Sequence, residues 1–230
     1  MSPTILDNIP FQINMDSLMK RLRVEKNSEY AANLLALVSD AQDVARPKAL
    51  YKTVFLEAKQ DDQVIIDGMI LKSRVLMVNL EKVHRVFAFV ATCGTELEDW
   101  ARSLDDLLQR FWSEAILMTA LRSATKFLNN HIDEHFRPGL ISTMTPGSLE
   151  DWPIEEQRKL FAILGDTRET IGVRLTESLL MIPTKSVSGI LFPTEVSFAS
   201  CQLCPREKCE GRRAPYDKNL YDRKYARRDD

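Results

Sequence analysis

The chain has 230 residues, enough for one large domain or two small ones with a sizeable buried core. Its 31 basic and 33 acidic residues give a net charge of -2, so no overall field favours a nucleic acid or an anionic membrane surface. No apolar run approaches the ~20 residues needed to cross a bilayer, and the N-terminus lacks a basic start followed by an apolar core. We therefore expect a cytoplasmic protein without nucleic-acid or membrane partners.

The first half of the chain predicts two helices and then strands. Helical apolar spacing and alternating β-branched residues define these segments, which are 15–23 and 28–44 as helices and 52–77 and 85–92 as strands. Arg46-Pro47 ends the second helix, and Asp67-Gly68 is a turn signal. The last of these strands would deliver Cys93 and Gly94 to an edge or pocket.

The second half is dominated by a helical pattern with apolar faces from Glu96 to Phe136, so one long helix is the expected spine. A shorter helix follows Pro153 and stops at Gly165. Strands are expected over 173–181 and 187–192. The predicted fold class is therefore α+β, with helices around an antiparallel sheet.

Three of the four cysteines lie close together near the C-terminus, as Cys201, Cys204 and Cys209 in the run CQLCPREKC. This spacing lets two thiolates from one tight turn and a third from the following loop bind one metal centre. Cys93 is the candidate fourth ligand, although a lone cysteine after an apolar run is more often a small buried hydrophobe. In a reducing compartment, clustered cysteines indicate ligands rather than disulfides.

A single C-x-x-C pair favours an iron–sulfur cluster, of the four-iron four-sulfur type, over zinc, which stays the alternative. Nearby basic side chains stabilise thiolates and would offset the charge of a cluster. They are Arg206, Lys208, Arg212 and Arg213. We accordingly divide the chain into an α+β domain, 1–197, and a cysteine-rich, metal-binding basic tail, 198–230.

Two other motifs have competing interpretations. His131 and His135 match the H-x-x-E-H pattern of inverted zinc peptidases, but they stand at a helix end where histidines also cap carbonyl groups. The acidic run after Gly94 fits the capping of a helix N-terminus. If a cleft opens there, the amides of Gly94 and Glu96 would face an anionic ligand or a cofactor edge.

Four short motifs follow one another along the chain. They are Ala91-Thr92-Cys93-Gly94 with Glu96, then Thr145-Pro146-Gly147-Ser148-Leu149 with Trp152 and Gln157, then Leu175-Thr176-Glu177-Ser178, and finally Ser186-Val187-Ser188-Gly189 before Phe192. In order and spacing they resemble the activation domain of cobalamin-dependent methionine synthase, here in a free-standing form with an added C-terminal cysteine cluster.

The resemblance implies a C-shaped α+β domain that binds S-adenosylmethionine and docks on a cobalamin-binding domain, so that oxidised cobalamin is reduced and remethylated. The implied cofactor-binding residues are Glu96, Pro146, Gly147, Ser188 and Gly189. Its partners would be a corrinoid-binding protein or methyltransferase and an electron donor. The sequence has no D-x-H-x-x-G motif, so we expect cobalamin to reach this chain only through a partner. No catalytic residue is assigned, and it stays open whether the chain is itself part of an enzyme.

The chain departs from the family at two points of the S-adenosylmethionine motif. The family has an arginine four residues before the glycine and a tyrosine directly after it, where this chain has Thr143 and Ser148. Loss of the arginine removes a charged contact worth roughly 1.5–3 kcal/mol, which puts binding of S-adenosylmethionine in question.

The added cysteines suggest a changed electron source. The hypothesis is an accessory protein whose iron–sulfur cluster supports cobalt reduction. The alternative is a non-redox docking or ligand-binding protein with structural zinc.

Overall fold

The computed structural model describes residues 2–209 and 211–227. The strands are β1 Thr4–Leu6, β2 Lys48–Gln60, β3 Gln63–Ile66, β4 Met69–Lys72, β5 Arg85–Thr92, β6 Ile141–Met144, β7 Arg174–Leu175, β8 Met181–Ile182 and β9 Ser186–Pro193. The helices are α1 Met15–Leu22, α2 Glu29–Val44, α3 Arg74–Asn79, α4 Thr95–Ser103, α5 Leu107–Phe136, α6 Gln157–Leu164, α7 Thr167–Ile171 and α8 Leu220–Lys224. The predicted α+β class is confirmed.

Within the described residues, seven strands form one antiparallel sheet in the order β4-β3-β2-β5-β9-β6, with β1 pairing to the start of β2. Strands β7 and β8 form a separate two-stranded hairpin. The centre of the sheet is β5, which pairs along its whole length with β2. The strand predicted over 85–92 is confirmed.

Both faces of β5 are buried, which explains why its sequence is apolar throughout. Val86 and Val90 face a first core cluster that also contains residues of α3, α6 and α7. Phe87 and Phe89 point to the opposite face, where they pack with Leu128 and its neighbours on α5. Successive side chains of a strand alternate between faces, so this one strand joins two cores.

A helical layer lies at the end of β5. Helices α1, α2 and α4 and the first half of α5 pack around a second core cluster, in which Leu34, Leu97 and Ile116 are fully buried. Cys93, directly after β5, belongs to this cluster. The layer therefore encloses the upstream cysteine.

The prediction of one helix from Glu96 to Phe136 is wrong, because the chain breaks between α4 and α5. Leu104 leaves the helix with extended backbone angles, and Asp106 accepts a hydrogen bond from the amide of Gln109 at 2.8 Å. An aspartate at this position caps a new helix start, and so competes with continuation of the first helix.

Two segments predicted as strands contain other structure. The segment 52–77 holds β2, β3 and β4, with the expected turn at Asp67-Gly68, but it ends in α3. The segment 173–181 is strand only at its ends. Between them, Thr176 and Leu180 form two hydrogen bonds. The Thr176 amide donates to the Leu180 carbonyl at 2.9 Å, and the Thr176 hydroxyl accepts from the Leu180 amide at 3.0 Å. These local bonds close a turn instead of extending a strand.

Two aromatic residues of the C-terminal segment pack into the first core. Phe198 is 6% exposed and Tyr225 is fully buried, and both belong to the cluster that lies on α3 and α6. Ala199 also forms a parallel bridge with Thr143 at the β6 edge. The segment after residue 197 thus lies against the sheet, while the division of the chain at that point stays a prediction.

Candidate functional site

The loop after β6 makes a tight turn around Gly147. Gly147 has φ of +79°, and a Cβ atom there would lie 2.9 Å from Cδ1 of Ile154. Its amide donates to the carbonyl of Trp152 at 2.8 Å, while the Ser148 hydroxyl donates to the carbonyl of Thr145 at 2.8 Å. The left-handed backbone and the close neighbour together explain the glycine.

Asp151 fastens this loop to α3. Its carboxylate accepts hydrogen bonds from the amides of Arg74 at 3.2 Å and Val75 at 3.0 Å, and from the Ser73 hydroxyl. The amides at the start of a helix have no partner within the helix, so a carboxylate satisfies them and favours the positive end of the helix dipole. Asp151 therefore acts as a cap supplied from far along the chain.

A groove of about 950 Å³ opens between this loop and the C-terminal segment. One wall is the loop itself, and the other consists of the cysteine-containing segment with residues before α8 and Tyr221 in its first turn. The lining residues are Val75, Gly147, Ser148, Leu149, Glu150, Asp151, Leu203, Cys204, Pro205, Arg206, Tyr216, Asp217, Lys218 and Tyr221. The groove combines apolar and aromatic surface with both signs of charge, as ligand pockets do.

The cysteine loop, by which we mean residues 201–209 and 211–214, is organised by Arg212. Its guanidinium donates to the carbonyls of Cys201 at 3.1 Å, Ala214 at 3.2 Å and Cys204 at 3.3 Å, and also to that of Arg206. Cys201 and Cys204 are partly exposed, Cys209 is exposed, and all are free thiols. Their joint action as metal ligands stays a prediction.

The thiol of Cys201 has a lowered pKa. Burial acts to raise it, but hydrogen bonds from the amides of Arg213 and Ala214 and the charge of Arg213 outweigh this effect. The Arg213 amide lies 3.4 Å from the sulfur. Donors and positive charge of this kind stabilise a thiolate, which is the form that binds metals.

Cys93 is placed apart from the other three cysteines. It is buried in the second core cluster, whereas Leu203, the neighbour of Cys204, packs against the first core cluster. The Cys93 side chain is fully buried, and burial raises its pKa to about 12, with a further contribution from Glu98.

Among the described residues, 2–209 and 211–227, no group of three or more histidine, cysteine, aspartate or glutamate side chains is arranged to hold a metal ion. The His131 and His135 rings stack at 3.9 Å, and His131 contacts the Tyr51 hydroxyl at 3.1 Å. The Nδ1 atom of His135 lies 2.8 Å from the carbonyl oxygen of His131, one turn earlier. This contact fits the helix-end interpretation of the H-x-x-E-H motif.

The five predicted cofactor-binding residues lie in three places. Of these five, only Gly147 lines the groove, and Pro146 is buried beside it. Ser188 and Gly189 lie within β9. The Ser188 hydroxyl accepts a hydrogen bond from the Gln157 side chain at 3.1 Å, and a Cβ atom at Gly189 would lie 2.4 Å from the carbonyl oxygen of Met144. Glu96 stands at the start of α4.

The environment of Glu96 is that of an ion pair. Its carboxylate lies 2.7 Å from the ammonium of Lys48 and accepts the hydroxyl of Thr95 at 3.2 Å. Burial acts to raise its pKa, but the interaction with Lys48 and the hydrogen bonds to the carboxylate together outweigh burial, so the pKa is lowered. The amide of Gly94 donates to the Thr92 hydroxyl at 3.2 Å, so that amide is already used within the chain.

Several residues of the site could not be found by sequence reasoning. Asp151, Tyr216 and Tyr221 line the groove, and Arg212 holds the cysteine loop. The basic residues near the cysteines were an available signal, but they indicated charge and not the carbonyls that Arg212 binds. The tyrosines carry no motif, because they reach the groove only through the fold.

Two comparisons with known proteins give a match. A model of the family described as "Vitamin B12 dependent methionine synthase, activation domain" matches residues 148–210, from the groove loop through all three tail cysteines. Among solved structures, the "Crystal Structure of the MetH Reactivation Domain bound to AdoHcy" matches with a TM-score of 0.60 and 13% identity. The match covers 86% of this chain and 81% of that one.

The resemblance to the activation domain is confirmed. The matched segment includes the point at residue 198 where the cysteine-rich tail was predicted to begin. No curated protein matches the chain in sequence. No helix within the described ranges is both long and apolar enough to cross a membrane.

Proposed function

We propose that this chain is an accessory protein for a corrinoid-dependent methyltransferase such as methionine synthase. It would dock on the corrinoid domain and support the reductive activation of cobalt. The family match over 148–210 and the fold shared with the MetH reactivation domain support a role in cobalamin reactivation. Cobalamin itself would be held by the partner.

The observation that carries the proposal is that one segment belongs to both the groove and the cysteine loop. Cys204 lines the groove opposite Gly147 and Ser148, in the part of the chain that matches the family. A redox centre at the tail thiols would therefore lie beside a groove built partly from the segment that the family model matches. A site for electron transfer has to lie near the face that meets the cobalt-carrying partner.

The tail thiols have the chemistry of iron–sulfur ligands, but among the described residues they are not arranged around a metal ion, so binding would have to draw them together. Cys201, Cys204 and Cys209 are soft ligands on one loop, and the lowered pKa of Cys201 favours the thiolate. Because Cys93 is buried in the helical layer, the fourth ligand would have to be a group other than Cys93. When bound, such a cluster supplies low-potential one-electron transfer between an electron-donor protein and the cobalt of the partner.

The second candidate is a non-redox docking or ligand-binding protein with structural zinc at the same thiols. The hydrogen bonds of Arg212 favour it, because they make the loop a compact module that a metal could close. Zinc would contribute to stability without visible absorbance or redox activity.

Binding of S-adenosylmethionine is a separate question for the groove. The MetH structure is described as bound to AdoHcy. In this chain, Thr143 of β6 pairs with Leu191 of β9, and the Ser148 hydroxyl already donates to a carbonyl of its own loop. We expect S-adenosylmethionine to bind this chain more weakly than it binds relatives with the arginine, by roughly the 1.5–3 kcal/mol of a charged hydrogen bond. Titration calorimetry on the wild type and Thr143→Arg checks this, and equal affinities would contradict it.

The main test is an absorbance spectrum with iron, sulfide and zinc analysis on protein purified without oxygen, before and after dithionite. Brown absorbance that bleaches, with iron and sulfide, supports the electron-transfer proposal. A colourless protein with stoichiometric zinc supports the docking proposal.

Cobalt reduction is then followed with a corrinoid methyltransferase and a reduced electron donor. Cys204→Ala should abolish both the cluster and the cobalt reduction, whereas Cys93→Ala is the matched control that should keep both. Unchanged reduction with Cys204→Ala would remove the proposed electron path.

A further inference from the structure

One side chain, Arg212, makes most of the contacts that hold the cysteine loop together. Its two terminal nitrogens meet four backbone carbonyls, those of Cys201, Ala214, Cys204 and Arg206. A guanidinium has five N–H donors in a planar fork, so it can serve several acceptors at once. Charge-assisted hydrogen bonds of this kind are about twice as strong as neutral ones.

The segment held by Arg212 has two roles in the geometry. It carries the thiols of Cys201 and Cys204, and its residues Leu203 to Arg206 form one wall of the groove. The amide of Asp217 donates to the carbonyl of Gln202 at 2.9 Å, which ties the same segment to the residues before α8 that also line the groove. Any displacement of the thiols would therefore also displace the groove wall.

We propose that Arg212 is the positioning residue of this site, and that it sets both the affinity of the three thiols for a metal and the order of the groove wall. The first part rests on the proposed function only in taking the thiols as metal ligands. The second part stands on the hydrogen bonds alone. The proposal assigns to Arg212 a contact with backbone, and no contact with metal or substrate.

A lysine could not replace this arginine. Its ammonium is a compact point charge on a flexible stem, and it lacks the planar fork that reaches carbonyls on both sides. Arg212→Lys therefore separates the loss of geometry from the loss of charge. Lys208, an exposed cation of the same loop, provides the matched control in the form of Lys208→Gln.

The experiment compares the wild type with Arg212→Lys, Arg212→Gln and Lys208→Gln, all fully reduced. Titration with Co²⁺ follows the thiolate-to-cobalt absorbance, and amide hydrogen exchange is measured on the metal-free proteins. Both Arg212 variants should bind Co²⁺ about 10- to 100-fold more weakly, as loss of a group supporting metal ligands does. Their amides over 203–206 should exchange faster, and Lys208→Gln should match the wild type in both measurements.

The outcomes separate the two proposals. Wild-type affinity and wild-type exchange in Arg212→Gln would overturn the role of Arg212. Equal weakening by Lys208→Gln and Arg212→Gln would also overturn it, because general charge would then explain the effect. If the wild type binds no Co²⁺ but exchange over 203–206 rises in both Arg212 variants, the positioning role stands and the metal site of the proposed function fails. Should Arg212→Gln fail to fold, Arg212→Lys carries the same two readouts.

Discussion

Cys93 and Cys201 show how differently one fold can treat the same side chain. Cys93 follows a central strand, is fully buried in the helical layer, and has a pKa raised to about 12 mainly by burial. Cys201 is partly exposed in the cysteine loop, and backbone donors with the charge of Arg213 lower its pKa. The first thiol has the environment of a small apolar group, and the second has an environment that favours the thiolate. Neighbouring donors and burial decide the difference.

The largest expected effect is in thiol reactivity. Raising the pKa of Cys93 from 9.0 to about 12 leaves about 1000-fold less thiolate at neutral pH, and the lowered pKa of Cys201 widens the difference further. Alkylation by iodoacetamide at pH 7.5, followed by mass spectrometry of the peptides, should therefore label Cys201 at least about 1000-fold faster. Burial of Cys93 acts in the same direction.

The pH dependence gives the control for this prediction. Because a lowered pKa means that the thiolate persists to lower pH, labelling of Cys201 should reach half of its maximal rate below pH 9, whereas that of Cys93 should still rise above pH 10. Comparable rates for the two cysteines at pH 7.5 would contradict the contrast between them.

The next effect concerns Tyr225, which anchors the C-terminal segment in the first core. Tyr225 is fully buried in the first core, and its hydroxyl donates to Asn79 at 3.0 Å. Tyr225→Ala should lower the free energy of unfolding by about 3–5 kcal/mol, since it removes a large buried ring. Tyr225→Phe, which keeps the ring, should cost about 1 kcal/mol. Urea unfolding measures both.

The same variant also tests the contrast between the two thiols. Since the C-terminal segment lines the groove beside Cys204, Tyr225→Ala should speed the alkylation of Cys201 and leave that of Cys93 unchanged. Equal stability of Tyr225→Ala and the wild type would show that the C-terminal segment is not anchored by this residue.

A smaller effect separates packing from ligation. Cys93→Ala should lower the free energy of unfolding by about 1 kcal/mol, because it deletes one buried group, and it should leave bound metal unchanged. Cys204→Ala should change the stability of the metal-free protein by less than about 0.5 kcal/mol, because it is partly exposed. Loss of metal from Cys93→Ala in elemental analysis would contradict the assignment of Cys93 to packing alone.

The smallest effect is electrostatic. Hydrogen bonds and charge from Arg227, with those of Arg74, hold the pKa of Asp62 below its usual value. A lowered pKa in the folded state means that the stabilisation is present above the unfolded pKa and is lost as pH falls through the folded pKa. Asp62→Asn should therefore cost about 0.5–1 kcal/mol at pH 7 and nothing at the acid limit.

Its counterpart in the helical layer is Asp16, whose pair with Lys26 at 2.7 Å is largely exposed on both sides. Asp16→Asn should cost no more than a few tenths of a kcal/mol, since exposed pairs are screened by water and salt. Urea unfolding at pH 7 and pH 3 compares the two variants. A larger cost for Asp16→Asn would reverse the expected order.

Features that depend on neighbouring residues were predictable from the sequence. The period of apolar residues located α2 and α6, the continuous apolar run located β5, and the close spacing of three cysteines located one loop. The same reasoning passed over the cap at Asp106, because the leucines on either side continue a helical pattern. A side chain that accepts a hydrogen bond from a backbone amide three residues later can override such a pattern.

Features that depend on distant residues were not predictable. The grouping of Cys93 with the tail cysteines needed knowledge of where β5 ends relative to β6, which the spacing of cysteines does not contain. Ser188 and Gly189 form a motif in the sequence, yet they lie within β9, where Gly189 lets Met144 approach closely. The acceptors of Arg212 are backbone carbonyls, and every residue has one.

Asp151 has a consequence for how the molecule folds. Helix α3 has six residues, too few to be stable as an isolated helix, and its first amides are bound by a carboxylate 77 residues later. The helix should therefore form only when the loop at 148–152 arrives, and the two should open together as one cooperative unit in native-state hydrogen exchange. A binding groove built on such a unit would be ordered or lost as a whole, so a ligand that stabilises the loop would also protect the amides of α3.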